Sequence, residues 1–178
     1  EFYGDKYYFN YWPIALYICS VFKFIFNDIR YAFVFAQFVF VFLLIRFRHK
    51  LNLKTAILIS LVWLFNLVVM FVNERSWIDA LVAPFFLAAL LLLQNKKFFW
   101  VSILIGLMAS IKLYYIFVTP FFVIYFFKEK KIKEIFIMGL AFISTFIPFI
   151  IISFDKLYQS TIVFISSTKI REDSLSLV

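Results

Sequence analysis

Residues 135–154 read IFIMGLAFISTFIPFIIISF, twenty consecutive positions without a charged side chain. A helix needs about 20 apolar residues to cross the hydrocarbon core of a bilayer, so this stretch meets the requirement unaided. The rest of the chain has the same character. Of its 178 residues, 65% are hydrophobic and 24% aromatic, and the mean hydropathy is +0.98. Because soluble domains contain about 45–50% apolar residues, the composition predicts an integral membrane protein.

Further apolar segments precede this stretch, and they are continuously apolar rather than alternating, which favours helices over the strands of a membrane barrel. They lie at 13–26, 31–45, 55–72, 80–93, 98–111 and 113–127. We therefore predict an all-α integral membrane protein, a polytopic helical bundle with six or seven membrane segments. Residues 1–154 form its transmembrane domain, and 155–178 form an extracytoplasmic segment leading to a helix that the chain lacks. Segment 13–26 has two interpretations, a full span or a re-entrant or interfacial helix.

The charges indicate an orientation for this bundle. Lysine and arginine number 18 against ten acidic residues, a formal net charge of +8. Ten of the 18 lie in three short loops, 46–54, 94–97 and 128–134. Cytoplasmic loops carry an excess of lysine and arginine, so we predict that these loops are cytoplasmic in a multi-pass plasma-membrane protein. Because topology accounts for the net charge, nucleic acid is not expected as a partner.

Several chemistries are excluded by the residues themselves. Cys19 is the single cysteine and His49 the single histidine, so neither a disulfide nor a cysteine-histidine metal site can form within the chain. Glycine-rich phosphate loops, zinc-protease motifs and nucleophile elbows do not occur in the sequence. No metal site or cofactor is therefore identified, and the sequence leaves open whether a divalent metal is required.

Lys112 interrupts an apolar run of roughly 30 residues, and Tyr114 and Tyr115 follow it closely. Ionisable residues within membrane segments are costly and mark functional sites. A lysine ammonium is a flexible point charge that suits the phosphate of an anionic lipid. The alternative is a lysine that reaches the membrane surface and only marks a turn. Asp79 also has two interpretations, a helix N-cap or an acid of the site.

An ordered set of motifs resembles a known superfamily. Tyr11-Trp12-Pro13 precedes an apolar helix, residues 106–114 read GLMASIKLY, Asp79 opens a span, and residues 169–177 read KIREDSLSL. Together they resemble the GT-C membrane glycosyltransferases, in the branch similar to polyprenol-phosphate-mannose-dependent mannosyltransferases. In that branch, prolines stand where this chain has Trp12 and Tyr115.

The resemblance implies a GT-C-like topology and the transfer of a hexose, such as mannose, from a polyprenyl-phosphate-linked donor. The acceptor would be a glycan, lipid or protein on the extracytoplasmic face. The enzyme itself would lie in the lipid bilayer. Lys112 and Arg171 would bind the donor phosphate. The substrate site would be lined by Tyr11, Trp12, Tyr114, Tyr115 and Asp79.

The catalytic base implied by the resemblance is an aspartate that precedes the Tyr11-Trp12-Pro13 element. In this chain the nearest aspartate is Asp5, which stands close to Pro13. We therefore expect the chain to be an internal fragment, with the base upstream of residue 1.

Two other classes of function compete with this interpretation. One is a non-enzymatic membrane protein of polysaccharide or lipid export, such as a flippase or transporter subunit; the other is a structural subunit. A transporter would place polar groups near the middle of the membrane. Gln37 and Asn66 are the candidates for that position, and this scarcity favours the enzyme.

Overall fold

The computed structural model of the chain describes residues 12–47, 52–66 and 78–158. Helices account for nearly all of these residues and no strand occurs among them, so the prediction of an all-α protein is confirmed for the described ranges. The elements are α1 (Pro13–Phe26), α2 (Arg30–Arg46), α3 (Leu53–Leu64), α4 (Asp79–Gln94), α5 (Phe98–Ala109), a 3₁₀ helix (Leu113–Val118), α6 (Thr119–Lys128), α7 (Ile132–Ser144) and α8 (Ile147–Tyr158).

Local chemistry sets several helix ends. Helix α1 begins at Pro13, a residue whose fixed φ suits the first helical position. It ends at Asn27, which adopts the left-handed conformation at φ 59°. Helix α3 begins after Asn52, whose side chain accepts a hydrogen bond of 2.7 Å from the backbone N–H of Thr55. These ends follow from residues adjacent in sequence.

Helix α5 lies at the centre of the packing. It makes its most extensive contacts with α7 and α4, and α4 also packs against α2. Val101 and Ile105 of α5 are fully buried. Gly106 permits the close approach of α7, because a Cβ at this position would overlap the carbonyl oxygen of Met138. Small residues are a common means of bringing membrane helices together.

One candidate span of the described residues, Ile132–Ile152, is long and apolar enough to cross a membrane by itself; it consists of α7 and the first part of α8. Helices α1 and α2 pass the same test as a pair but bend by 110° at the break between them. The other apolar helices contain 10–17 residues. Six or seven membrane segments therefore stay a prediction.

The apolar run 113–127 is divided rather than continuous. Residues Leu113–Val118 form the 3₁₀ helix, and α6 begins at Thr119 with Pro120 in its first turn. Proline has no N–H and is poorly tolerated inside a helix, so a single helix through Pro120 would lose a hydrogen bond. Within the run 55–72, α3 ends at Leu64, and residues 67–77 lie outside the described ranges.

The bundle has two chemically different ends. Helices α4 and α5 run in opposite directions and are joined by a turn at Asn95–Lys97. The turn after α6 lies at the same end, because Lys131 Nζ stands 5.4 Å from the centre of the Phe98 ring. Asp79 and Lys112 meet at the opposite end. The 12 residues of α5 separate the two ends by about 18 Å.

Candidate functional site

Asp79, Lys112 and Tyr115 form a polar cluster within the described residues. Nζ of Lys112 lies 3.1 Å from Oδ2 and 3.3 Å from Oδ1 of Asp79. The Tyr115 hydroxyl donates a hydrogen bond of 3.0 Å to Oδ1 of the same carboxylate. Lys112 and Tyr115 thus both donate to the carboxylate of Asp79, and all three are residues that the sequence assigns to the site.

The backbone explains how these side chains are brought together. Asp79 is the first residue of α4, where the helix dipole favours a negative charge. Lys112 has extended backbone (φ −155°, ψ 141°) between α5 and the 3₁₀ helix. The N–H of Tyr115 donates to the Lys112 carbonyl at 3.1 Å, which begins that helix. The chain therefore turns at Ser110–Ile111, and Lys112, which follows, directs its ammonium toward Asp79 at the start of α4.

The ion pair is partly shielded and still reachable. The side chains of Lys112 and Asp79 are 27% and 32% exposed. Ion pairs with this access to solvent contribute about 1 kcal/mol or less to stability. Folding stability alone is thus a modest reason for placing a lysine at this end of the bundle. An anionic ligand could approach the same ammonium from outside.

Two of the motifs that carry the resemblance, Tyr11-Trp12-Pro13 and residues 106–114, are in direct contact. The N–H of Trp12 donates to the Ile111 carbonyl at 3.4 Å, and the N–H of Ile14 donates to the Ser110 carbonyl at 3.2 Å. The element at the start of α1 is therefore held against the residues just before Lys112. Each motif fixes the backbone of the other.

The indole of Trp12 is directed into the protein. It is 9% exposed and packs against the rings of Phe142 and Phe146, with centroid distances of 5.5 and 5.3 Å. Its Nε1 is buried and has no hydrogen-bond acceptor among the described residues. The structure thus places the Trp12 backbone beside the site and its ring in the core.

A cavity of about 450 Å³ opens between α1, α2, α4 and α5. All of its lining residues are apolar; they include Ile18, Phe22, Leu81, Phe85 and Leu104. Asp79, Lys112 and Tyr115 do not line it, and the α4 residues that do lie on the helix face turned away from Asp79. Sequence reasoning missed this cavity, although its α4 wall follows helical spacing at positions 81, 84, 85 and 88.

The remaining predicted site residues fall beyond what can be described. Tyr11, Asp5 and Arg171 lie outside the described residues, and so does the side chain of Tyr114. Among 12–47, 52–66 and 78–158, no group of three or more histidine, cysteine, aspartate or glutamate residues could hold a metal ion.

A strongly apolar chain whose described residues are mostly helical, with a polar cluster at one end of the helices, is typical of a membrane-associated protein. The chain belongs to glycosyltransferase family 87, whose family model matches residues 9–173. The matched range includes the Tyr11-Trp12-Pro13 element, residues 106–114 and Arg171. No curated protein and no solved structure matches the chain.

Family membership identifies the protein as a membrane-associated glycosyltransferase. It favours the enzyme over the export and structural alternatives considered from sequence.

Proposed function

We propose that this protein transfers a hexose, with mannose as the first candidate, from a polyprenyl-phosphate-linked donor. The observation that carries the proposal is the partly exposed ion pair of Lys112 and Asp79 at one end of an apolar helical bundle. A polyprenyl-phosphate sugar matches this arrangement, since it combines an anionic phosphate with a long apolar chain. Lys112 would meet the phosphate while the apolar helix surfaces contact the chain.

Lys112 acts electrostatically in the proposed reaction. When the bond between the sugar C1 and the phosphate oxygen breaks, the leaving polyprenyl phosphate gains a negative charge. A fixed ammonium stabilises this charge more in the transition state than in the bound donor. Asp79 and Tyr115 position the ammonium, and Arg171 is proposed as a second cation at the phosphate.

The acceptor hydroxyl forms the new bond to C1 and loses its proton to a carboxylate base. The resemblance implies an aspartate before the Tyr11-Trp12-Pro13 element as that base, and within this chain the candidate is Asp5. Tyr11, Tyr114 and Tyr115 would line the sugar or acceptor site. The buried ring of Trp12 would anchor the Trp12 backbone next to that site. The acceptor would be a glycan, lipid or protein.

The proposed orientation puts the polar cluster on the extracytoplasmic face of a multi-pass plasma-membrane protein. Loops 46–54, 94–97 and 128–134 would then be cytoplasmic. The separation of Lys112 from the turns at Asn95–Lys97 and Lys131 by the length of α5 supports this arrangement.

Transfer by the full-length protein in proteoliposomes tests the proposal. Radiolabelled polyprenyl-phosphate mannose and glucose serve as donors, and membranes of the producing organism supply acceptors. Lys112→Ala should lower the transfer rate by about 100-fold, the usual cost of removing one transition-state donor. Lys112→Arg, which retains the charge, should retain part of the activity.

Lys23→Ala is the matched control. Lys23 also interrupts an apolar segment, but it is exposed and its ammonium donates to the Asn27 carbonyl at 2.9 Å. This variant should transfer sugar at the wild-type rate. Equal activity of Lys112→Ala and wild type would reject the phosphate role, and transfer from nucleotide sugars but not from lipid-linked donors would reject the proposed donor.

A further inference from the structure

Two lysines occupy a backbone conformation that normally favours glycine. Lys96 follows α4 at φ 54°, and Lys130 follows α6 at φ 56°. Both stand at the left-handed position of the same helix-ending motif. In that motif the backbone N–H of Lys97 donates to the Leu92 carbonyl at 2.9 Å, and the backbone N–H of Lys131 donates to the Phe126 carbonyl at 2.8 Å.

A left-handed lysine is disfavoured because its Cβ crowds the following carbonyl, which is why glycine usually ends helices in this way. Two turns of this chain keep lysine instead, and both lie at the same end of the bundle. We therefore attribute the presence of lysine at these two positions to its side chain rather than to a backbone preference.

The basic surface consists of six lysines on these two turns and the adjoining helix ends, namely Lys96, Lys97, Lys128, Lys130, Lys131 and Lys133. The Lys131 ammonium over the Phe98 ring joins the turns into one surface. Glu129 and Glu134 are the acids of the same segments, and within the described residues neither forms an ion pair with the six lysines. The surface thus keeps a net positive charge.

Exposed apolar side chains border the basic surface. Phe99 and Trp100 at the start of α5 are 48% and 55% exposed, and Phe127 at the end of α6 is 68% exposed. Aromatic residues next to lysines at helix ends are typical of the membrane–water boundary. We therefore expect these residues to contact the headgroup layer of a lipid leaflet.

We propose that the basic surface is a binding site for anionic phospholipid headgroups, separate from the donor site at Lys112. The left-handed lysines bring cationic side chains from two turns to one headgroup layer, and the bordering aromatics place that layer at the correct depth. The site goes beyond sugar transfer, because it concerns the bulk lipid rather than the donor or the acceptor.

The test uses the full-length protein in neutral-detergent micelles, titrated with dioleoylphosphatidylglycerol or dioleoylphosphatidylcholine, with thermal stability as readout. The anionic lipid should raise the unfolding temperature at lower concentration than the zwitterionic lipid, and 0.5 M NaCl should weaken this effect. Replacing both left-handed lysines (Lys96→Gly with Lys130→Gly) should raise the half-saturating concentration of the anionic lipid by about 30-fold, as expected for two interfacial lysines.

The same double variant should be as stable as wild type, or more stable, in phosphatidylcholine, because glycine relieves the backbone. A structural role of the lysines would instead destabilise it there. The double variant Lys96→Arg with Lys130→Arg should keep the wild-type response, as should Lys23→Ala. Lys128→Gln with Lys133→Gln provides a second test in which the turns are unaltered, and the lipid response should again weaken.

Equal stabilisation by the two lipids would overturn the proposal, and so would an unchanged anionic-lipid response in both lysine-depleted variants. Stabilisation by inorganic phosphate alone, at concentrations similar to the lipid, would show a phosphate site rather than a lipid site. Sugar transfer does not enter these measurements, so their failure is distinguishable from failure of the proposed glycosyl transfer.

Discussion

The Lys112 ammonium lies 3.1 Å from the Asp79 carboxylate across 33 positions of sequence. The pairing depends on α4 and α5 being antiparallel, with the start of one beside the end of the other. It links the residue that resembles a phosphate-binding lysine to an acid whose role was undecided from sequence. Tyr115 holds the other oxygen of that acid.

The coupling between Lys112 and Asp79 should be small in stability and large in activity. A double-mutant cycle of Lys112→Ala and Asp79→Asn should give a coupling energy of about 1 kcal/mol or less, because both side chains are partly exposed. Unfolding of the full-length protein in mixed micelles gives this energy. Transfer rates of the same four proteins give the effect on function, and a stability coupling of several kcal/mol would assign the pair a mainly structural role.

Gly106→Ala should destabilise the protein by about 1–3 kcal/mol, the usual cost of inserting a methyl group into a packed interface. Its Cβ would lie 2.9 Å from the Ala141 Cβ and closer still to the Met138 carbonyl oxygen. A lower unfolding temperature in detergent is the expected result.

Gly139→Ala is the control for Gly106→Ala, since Gly139 also lies in a helix and no atom stands within 4 Å of its added Cβ. This variant should be as stable as wild type or slightly more stable, because alanine favours helix. Equal effects of the two substitutions would show that backbone propensity, rather than helix contact, decides the result.

Tyr17→Phe should loosen the junction between α7 and α8. The Tyr17 hydroxyl donates to the Thr145 carbonyl at 3.2 Å, at the point where the helix is interrupted before Pro148. Removing this hydrogen bond should cost about 1 kcal/mol, measured as a lower unfolding temperature. Tyr31→Phe is the comparison, because the Tyr31 hydroxyl makes no hydrogen bond within the described residues, and it should change stability little.

Stability should depend on pH through Asp28, which precedes α2. The hydrogen bond from the Arg30 guanidinium, 2.8 Å from Nε to Oδ2, lowers the pKa of Asp28. Because the folded pKa lies below the unfolded value, this contribution is present above about pH 3.9 and is lost as the pH falls through the folded pKa. Asp28→Asn should therefore lower the unfolding temperature at neutral pH and have progressively less effect below pH 4.

Glu129→Gln is the control for the pH experiment. Glu129 is exposed and forms no ion pair within the described residues. The difference between this variant and wild type should stay small at every pH. A difference for Asp28→Asn that persisted unchanged at low pH would contradict the assigned role of the carboxylate.

Helix content and apolar character were predictable from sequence because both depend on neighbouring residues. The observed helices Pro13–Phe26 and Asp79–Gln94 coincide closely with apolar runs. The segment 113–127 was less predictable. Hydropathy alone does not distinguish an α-helix from a 3₁₀ turn, and the α-helical part begins where Pro120 stands in a first turn, a position that tolerates proline.

Candidate site residues were also predictable in kind, since a charge inside an apolar run is rare and costly. Lys112 and Tyr115 were selected on that basis or by resemblance, and the structure brings both to Asp79. The orientation of the Trp12 ring could not be predicted from residue type. Whether it faces substrate or core depends on Phe142 and Phe146, which lie far away in sequence.

The sequence by itself determined a helical, membrane-associated glycosyltransferase, because composition, apolar run length and ordered motifs are properties of the chain alone. Only the tertiary structure decided that Lys112 meets Asp79, that an apolar cavity opens between α1, α2, α4 and α5, and that Lys96 and Lys130 share one surface. These features depend on which helix faces pack and how closely. Gly106 permits that approach, and its contacts on α7, Met138 and Ala141, lie far away in sequence.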